Sequence, residues 1–234
     1  MPIFALNEEP IFPPPHLAES DGLLAIGGDL HPERLVRAYL EGIFPWYSHP
    51  EEILWWSPDP RFVLFPADLK VSKSMRPILN QGRFTITYDQ DFNGVIQQCK
   101  TTPRPGQRGT WITPEMREAY EELHRLGMAH SVEAWQAGKL VGGLYGVSLG
   151  RCFFGESMFA HVSNASKAAF ITLVRDLQAA GFTLIDCQVY TDHLASLGAT
   201  EIPRQDFLQH LQQNRSRPTI RGDWGEYFAK RETE

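Results

Sequence analysis

A chain of 234 residues with 42% hydrophobic and 21% charged side chains has material for a sizeable core, which excludes a disordered or fibrous polymer. Its formal charge of −6 argues against a protein that coats long nucleic acid, because phosphate binding draws on clustered Lys and Arg; a small contact with one nucleic-acid end stays open. The cysteines Cys99, Cys152 and Cys187 are widely spaced and form no CxxC, so they suggest neither a disulfide framework nor a structural zinc site and are expected to be reduced.

Residues 1–62, rich in Pro, Gly and Trp, are expected to form a small N-terminal domain of turns around one helix. That helix starts at Pro32, after Asp29 and His31, and stops at Gly42, with Leu35, Val36, Tyr39 and Leu40 as its apolar face. The stretch ILWWSPDPR, residues 53–61, reads as a stiff loop. It poses a question, because no regular element is expected there to bury the rings of Trp55 and Trp56.

The larger part, residues 63–234, opens with a helix at about 72–80, a strand FTITY at 84–88 and a helix at about 90–99. The polar loop TTPRPGQRG follows. Thr113 and Pro114 then start a helix that Gly127 ends, with Met116, Ala119, Tyr120, Leu123 and Leu126 at helical spacing. The strands HSVEAWQ, KLVGGLYGVSL and RCFFGESMF come next, as an antiparallel meander. An amphipathic helix at about 165–180, begun by Ser163 or Asn164 and closed by Gly181, turns Phe170, Ile171, Leu173, Val174 and Leu177 toward a core. It leads into the strand FTLIDCQV and the short helix HLASLG. Strand–helix–strand units make right-handed crossovers, so segments 151–159 and 182–189 are predicted to be parallel neighbours that splay. The tail beyond about residue 214 is polar and expected to be loosely held. Basic residues gather at Lys70, Lys73, Arg76 and Arg83, and at Arg104 and Arg108, where a solvated charged face is the plain reading.

The anomalies lie in two of these strands. A two-residue period puts Phe154, Glu156 and Met158 on one face of the first, and Leu184, Asp186 and Gln188 on one face of the second. Burying an ionised carboxylate is costly unless it is paired, hydrogen-bonded or wet, so these positions either meet a cation or open onto a cleft. A single such residue reads as structural; three on adjacent strands read as a site. The carboxyl ends of splayed parallel strands frame a crevice suited to a ligand. No histidines form HxxxH or HExxH, so no metal is expected. The glycines Gly142, Gly143 and Gly146 lack the lysine or helix start of a phosphate cradle, and no serine–histidine pairing follows from spacing.

The words of the sequence carry a resemblance. DGLLAIGGDL (21–30), GIFPWYS (42–48), ILWWSPDPR, GTWIT (109–113), LVGGLYGV, FGESMF, NASK (164–167), LIDCQ (184–188) and DHLASLGATEIPR (192–204) run in order from about residue 20 to 207. They closely resemble the bacterial leucyl/phenylalanyl-tRNA–protein transferases. The resemblance implies an α+β fold: a GNAT-like acyltransferase domain, its mixed sheet flanked by helices, with a small N-terminal domain. It implies a cytoplasmic, non-membrane enzyme that moves Leu or Phe, less well Met, from aminoacyl-tRNA to proteins with N-terminal Arg or Lys, creating an N-degron. No cofactor is implied, and HVSNASKAAF, where a CoA-dependent relative carries a glycine-containing pyrophosphate loop, has no glycines.

By motif, Trp46 and Trp111 would flank the terminal adenosine of the tRNA 3′ CCA end, since stacking on aromatic rings reads any base. Leu144, Phe153, Met158, Leu173 and Ile185 would build an apolar pocket for the aminoacyl side chain. Asp186 and Gln188 would serve the chemistry, with Glu156 holding the acceptor's amine or its cationic side chain. Trp55 and Trp56 are assigned to wall and domain-interface packing. Two other readings stay open on the residues alone: a CoA-dependent N-acyltransferase of the same fold, and a non-catalytic binder of tRNA 3′ ends.

Overall fold

The computed structural model describes residues 3–48, 52–102 and 112–231. In the first part, strands β1 (Phe4–Leu6), β2 (Leu23–Gly27), β3 (Phe44–Pro45) and β4 (Leu54–Trp56) form a sheet of order β1-β2-β4-β3, and helix α1 (Pro32–Leu40) connects β2 to β3. The helix starts and stops where its signals lie: Pro32 fills the first turn, the His31 ring accepts from the Glu33 N–H, and Gly42 leaves the helix at a φ of 75°. The rest of residues 1–62 differs from expectation. The predicted turns are strands of only 2 to 5 residues, too short to display a period.

The stretch ILWWSPDPR contains one of them. Alternation along β4 sends Trp55 into the core, where its Nε1 donates to Gly27 O at 2.9 Å and Phe12 packs edge-on at 4.8 Å between ring centroids. Trp56 turns the other way, onto the cavity described below. One ring is an anchor and the other is a wall.

The second sheet begins with β5 (Arg61–Leu64), followed by helix α2 (Met75–Asn80), β6 (Thr85–Tyr88), α3 (Phe92–Thr101) and α4 (Pro114–Arg125). The meander β7 (Ala129–Gln136), β8 (Lys139–Leu149) and β9 (Cys152–Ala160) leads through α5 (Ala165–Ala179) to β10 (Leu184–Gln188). Then come α6 (Asp192–Ala195), β11 (Thr200–Ile202), α7 (Arg204–Asn214) and α8 (Trp224–Arg231). The strand order is β11-β5-β10-β9-β8-β7-β6. As predicted, β7, β8 and β9 are antiparallel and β10 lies parallel to β9. Since β5 pairs antiparallel to β10, the sheet is mixed, and the protein is of the expected α+β class.

Helix α5 covers one face of this sheet, burying Leu173, Val174 and Leu177 against Val132 and Leu144. Helices α3 and α4 cover the other with Val95, Ile96, Met116 and Tyr120. The expected domain boundary at residue 62 falls inside β5, and one core cluster joins Leu35, Tyr39 and Trp55 to Tyr120, Tyr145 and Phe154. Thr113 caps α4 by accepting from Met116 N–H at 3.2 Å, whereas Leu126, expected on its apolar face, ends the helix exposed. The glycines of VGGLYGV serve packing: a methyl group on Gly142 would lie 2.6 Å from Ala165 Cβ, and one on Gly146 would lie 2.2 Å from Phe154 O.

The tail also departs from expectation. Its composition is polar, but Trp224 at the start of α8 is fully buried, stacked on His130 with centroids 3.8 Å apart, while its N–H donates to Asp89 Oδ2 at 2.8 Å. Ile220 and Phe228 are buried in the same cluster, so three apolar side chains fasten the segment. Cys99, Cys152 and Cys187 form no disulfide, and the first two are buried. Residues 103–111, which include most of the expected polar loop, Arg104, Arg108 and Trp111, lie outside the described residues. Among the described residues, no helix is long and apolar enough to cross a membrane.

Candidate active site

The parallel pairing of β9 and β10 ends at Phe154 and Asp186. Beyond it both strands carry a bulge. On β9, Ser157 faces Tyr145 and Gly155 faces Gly146, which leaves Glu156 as the extra residue. On β10, the register against β5 shifts between Asp186 and Gln188, and Gln188 adopts a φ of 62°. The two strands therefore part where their polar residues begin.

This bulge corrects the face assignment made from a strict two-residue period. Phe154 packs on Tyr39, with ring centroids 5.1 Å apart, while Met158 belongs to the core on the other side of the sheet. Glu156 sits at the changeover.

Asp186 meets a cation. Arg61 of β5 grips it with two bonds, Nε to Oδ1 at 2.8 Å and Nη2 to Oδ2 at 2.6 Å, and both side chains are buried. The guanidinium is further held between the rings of Phe44 and Phe207, 4.7 and 4.6 Å from their centroids. Asp186 Oδ1 also accepts the Gln188 N–H at 2.9 Å, which fixes the left-handed backbone of that residue. The charge on Asp186 is thus compensated, and what it positions is Gln188.

Gln188 then reaches across the gap. Its Nε2 donates to Glu156 Oε1 at 2.8 Å. The same oxygen accepts the Tyr39 hydroxyl at 2.7 Å, and Oε2 accepts the Tyr120 hydroxyl at 3.0 Å. The two tyrosine hydroxyls are also in hydrogen-bond contact with each other. Burial pushes the Glu156 carboxyl up to about 7, against which its three donors pull. Burial, together with the nearby Glu156, raises both phenols well above their ordinary value.

These groups border a cavity of about 1020 Å³. Glu156, Asp186, Gln188, Trp46, Leu144, Phe153, Met158 and Ile185 all line it, as do Trp56 and Phe170. Trp46 is 44% exposed, its ring 5.8 Å from that of Trp56, whose Nε1 donates to Trp46 O at 2.6 Å. One expected member is absent: Leu173 is fully buried in the core beneath α5. Phe170, one turn earlier, takes that place. Trp111 lies outside the described residues. Among the described residues, no three His, Cys, Asp or Glu side chains are grouped as a metal ion would require.

Sequence reasoning missed Arg61, Tyr39, Tyr120 and Phe170. A signal existed for the first, since a buried carboxylate demands a cation and Arg61 closes the ILWWSPDPR motif. The other three read as ordinary members of apolar helix faces.

Comparison with known proteins gives the family. The family model for leucyl/phenylalanyl-tRNA protein transferase matches residues 63–212, and that for its N-terminal domain matches residues 28–59. The chain belongs to this family. A protein named leucyl/phenylalanyl-tRNA–protein transferase from Syntrophus aciditrophicus is 60% identical over 224 residues, covering 96% of this chain and 94% of its own. One of the same name from Myxococcus xanthus is 56% identical over 231 residues, covering 98% and 99%. Among solved structures, an aminoglycoside acetyltransferase from a soil metagenome superposes with a TM-score of 0.38 at 14% identity, over 56% of this chain and 89% of its own. A GCN5-related N-acetyltransferase from Kribbella flavida gives 0.34 at 13%, over 72% and 58%. Neither is close enough to add to the site. By family, the chain is an aminoacyltransferase.

Proposed function

We propose that this chain transfers leucine or phenylalanine, and less readily methionine, from the 3′ end of aminoacyl-tRNA to the α-amine of proteins that begin with Arg or Lys, forming a peptide bond that marks them for degradation. The observation that carries the reading is the pairing of Gln188 with Glu156 on the wall of a mostly apolar cavity.

The reaction is aminolysis of an activated ester. The α-amine, with an unperturbed pKa of about 8, attacks the ester carbonyl; the C–N bond forms, the bond to the ribose 3′-oxygen breaks, and that oxygen takes a proton. A strong base is unnecessary, so the main task is to hold the amine against the carbonyl. Because Gln188 gives an amide N–H to Glu156, its carbonyl oxygen is left to accept from the incoming amine. Asp186 acts through Gln188 by fixing its backbone, and Arg61 keeps Asp186 in place. Glu156 receives the cationic acceptor end.

The aminoacyl side chain occupies the apolar part of the cavity, between Leu144, Phe153, Met158 and Ile185, with Phe170 in the place expected for Leu173. One methylene changes binding by only about 1–3 kcal/mol, and a flexible methionine adapts, so such a pocket accepts Leu, Phe and Met. Trp46 stacks on the terminal adenine, with Trp111 as its partner. The division into an N-terminal domain, 1–62, and a catalytic domain, 63–234, belongs to the same proposal: the first part brings Trp46 and Trp56 to the cavity wall, and Tyr39 to Glu156 behind it.

Purified protein incubated with labelled leucyl-tRNA is expected to label a peptide beginning with Arg and to leave one beginning with Ala unlabelled. Label on neither peptide, with tRNA binding retained, would select the non-catalytic binder instead.

A further inference from the structure

Three oxygen-to-oxygen contacts close a triangle at the back of the cavity: Tyr39 to Tyr120, Tyr39 to Glu156 Oε1, and Tyr120 to Glu156 Oε2. Each tyrosine hydroxyl brings one proton. With Glu156 ionised, two protons must serve three contacts, and one pair of oxygens faces across hydrogen-bond distance with nothing between. With Glu156 neutral, three protons serve three contacts around the ring. Its acid proton, on Oε2, then goes to the Tyr120 oxygen, which reverses the bond that an ionised Glu156 accepts there; Tyr120 donates to Tyr39, and Tyr39 to Oε1. The Gln188 amide already occupies the second acceptor position of Oε1.

We propose that Tyr39 and Tyr120 hold Glu156 as a neutral carboxylic acid in the free protein, and that this acid releases its proton to solvent when a cationic acceptor amine binds beside it. The inference rests on the reading of Glu156 as the acceptor's partner. The step balances: a carboxylic acid and an alkylammonium become a carboxylate–ammonium pair, and one proton leaves for solvent. No covalent bond forms at this stage. The ammonium then returns a proton to the carboxylate as the amine attacks.

The surroundings favour the neutral form. Tyr39 from α1 and Tyr120 from α4 are buried phenols whose raised pKa keeps them uncharged, and Tyr145 from β8 is buried edge-on to Tyr120. The carboxylate of Asp186 on β10 is compensated by Arg61 of β5. Among the described residues, the groups that act on the Glu156 carboxyl are its three donors and Asp186, none of them a cation, and burial raises it to about 7. Tyr39 and Tyr120 are positioning residues, acting through Glu156.

The test begins on the free protein, so it does not depend on transfer. Infrared difference spectra against Glu156→Gln are expected to contain a carboxylic-acid carbonyl band at pH 6 that is gone at pH 8.5. In Tyr39→Phe the band moves to higher frequency, because the carbonyl loses a donor; a merely structural role would not move it. Glu156→Gln retains all three contacts, its amide replacing the acid, and so it folds. Relative to that variant, the wild type loses stability as pH rises from about 4.5 to about 7 and nothing further above, since the folded protein alone keeps the proton in that window. Calorimetry with an Arg-initiated peptide at pH 6.5, in two buffers of different ionisation enthalpy, is expected to read proton release from the wild type and none from Glu156→Gln. Absence of the carbonyl band at pH 6 would overturn the inference while leaving the transfer reading intact. A band with no proton release on peptide binding would overturn the coupling to the acceptor.

Discussion

Replacing Asp186 by alanine is expected to cost about 3–5 kcal/mol of stability and most of the transfer rate, while aminoacyl-tRNA affinity changes little. The stability loss follows from what remains. Arg61 would stay buried between Phe44 and Phe207, with Gly42 O at 3.3 Å as its surviving polar partner. An uncompensated guanidinium in that place is costly. The rate loss has a different origin: the Gln188 N–H loses its acceptor, and the left-handed turn that aims the Gln188 amide is no longer held. The two effects separate in a second variant, Arg61→Met with Asp186→Leu. Replacing both charges by apolar groups of similar size is expected to recover most of the stability, as buried ion pairs seldom exceed their desolvation cost, but none of the rate. Denaturant unfolding and single-turnover transfer on both variants check this. Equal losses of rate and affinity in Asp186→Ala would count against the role.

Trp46→Ala is expected to do the opposite. Its ring is half exposed on the cavity, so its loss leaves the fold nearly intact. Stacking of a base on an aromatic side chain is worth about 1–3 kcal/mol, which corresponds to a weakening of aminoacyl-tRNA binding by roughly 5- to 150-fold. The chemical step on bound substrate should be nearly unchanged, and Trp111→Ala carries the same expectation. Trp55 provides the contrast within one strand. Its indole is fully buried with Nε1 bonded to Gly27 O, so Trp55→Ala should lower stability by about 3–5 kcal/mol and affect tRNA binding only through folding. Equilibrium binding of aminoacyl-tRNA to the two variants, beside their melting curves, separates wall from anchor.

Long periodic segments were legible from the chain alone, because their patterns repeat often enough to outvote local exceptions. Helix α4 between its Thr113 cap and Gly127, the meander β7 to β9, and the α5 crossover all lie where periodicity and turn residues put them. The candidate site drew notice for a related reason: carboxylates in apolar strands break the pattern, and the break singles out Glu156 and Asp186, which line the cavity. What escaped was set by distant register. A strict period carried through Glu156 misplaces Met158, because the bulge is imposed by pairing with β8. Arg61 and Asp186 are 125 residues apart, so only the packed sheet reveals them as a pair. Tyr39 and Tyr120 satisfy an apolar stripe with their rings and hide a polar function in their hydroxyls. Leu173 and Phe170 lie on one face of α5, and spacing alone does not say which of them looks into the cavity.

In the proposed reaction Gln188, aimed by Asp186 and braced on Glu156, holds the acceptor amine against the ester. Single-turnover transfer from pre-bound leucyl-tRNA to an Arg-initiated peptide, measured in Gln188→Ala beside the equilibrium affinity for leucyl-tRNA, tests it most directly. Alanine meets the same backbone requirement at this position as glutamine, so the fold is kept. The rate is expected to fall by on the order of 100-fold with the affinity unchanged, the penalty for misplacing a reacting group by about an ångström. An unchanged rate, or a loss confined to tRNA affinity, would contradict it.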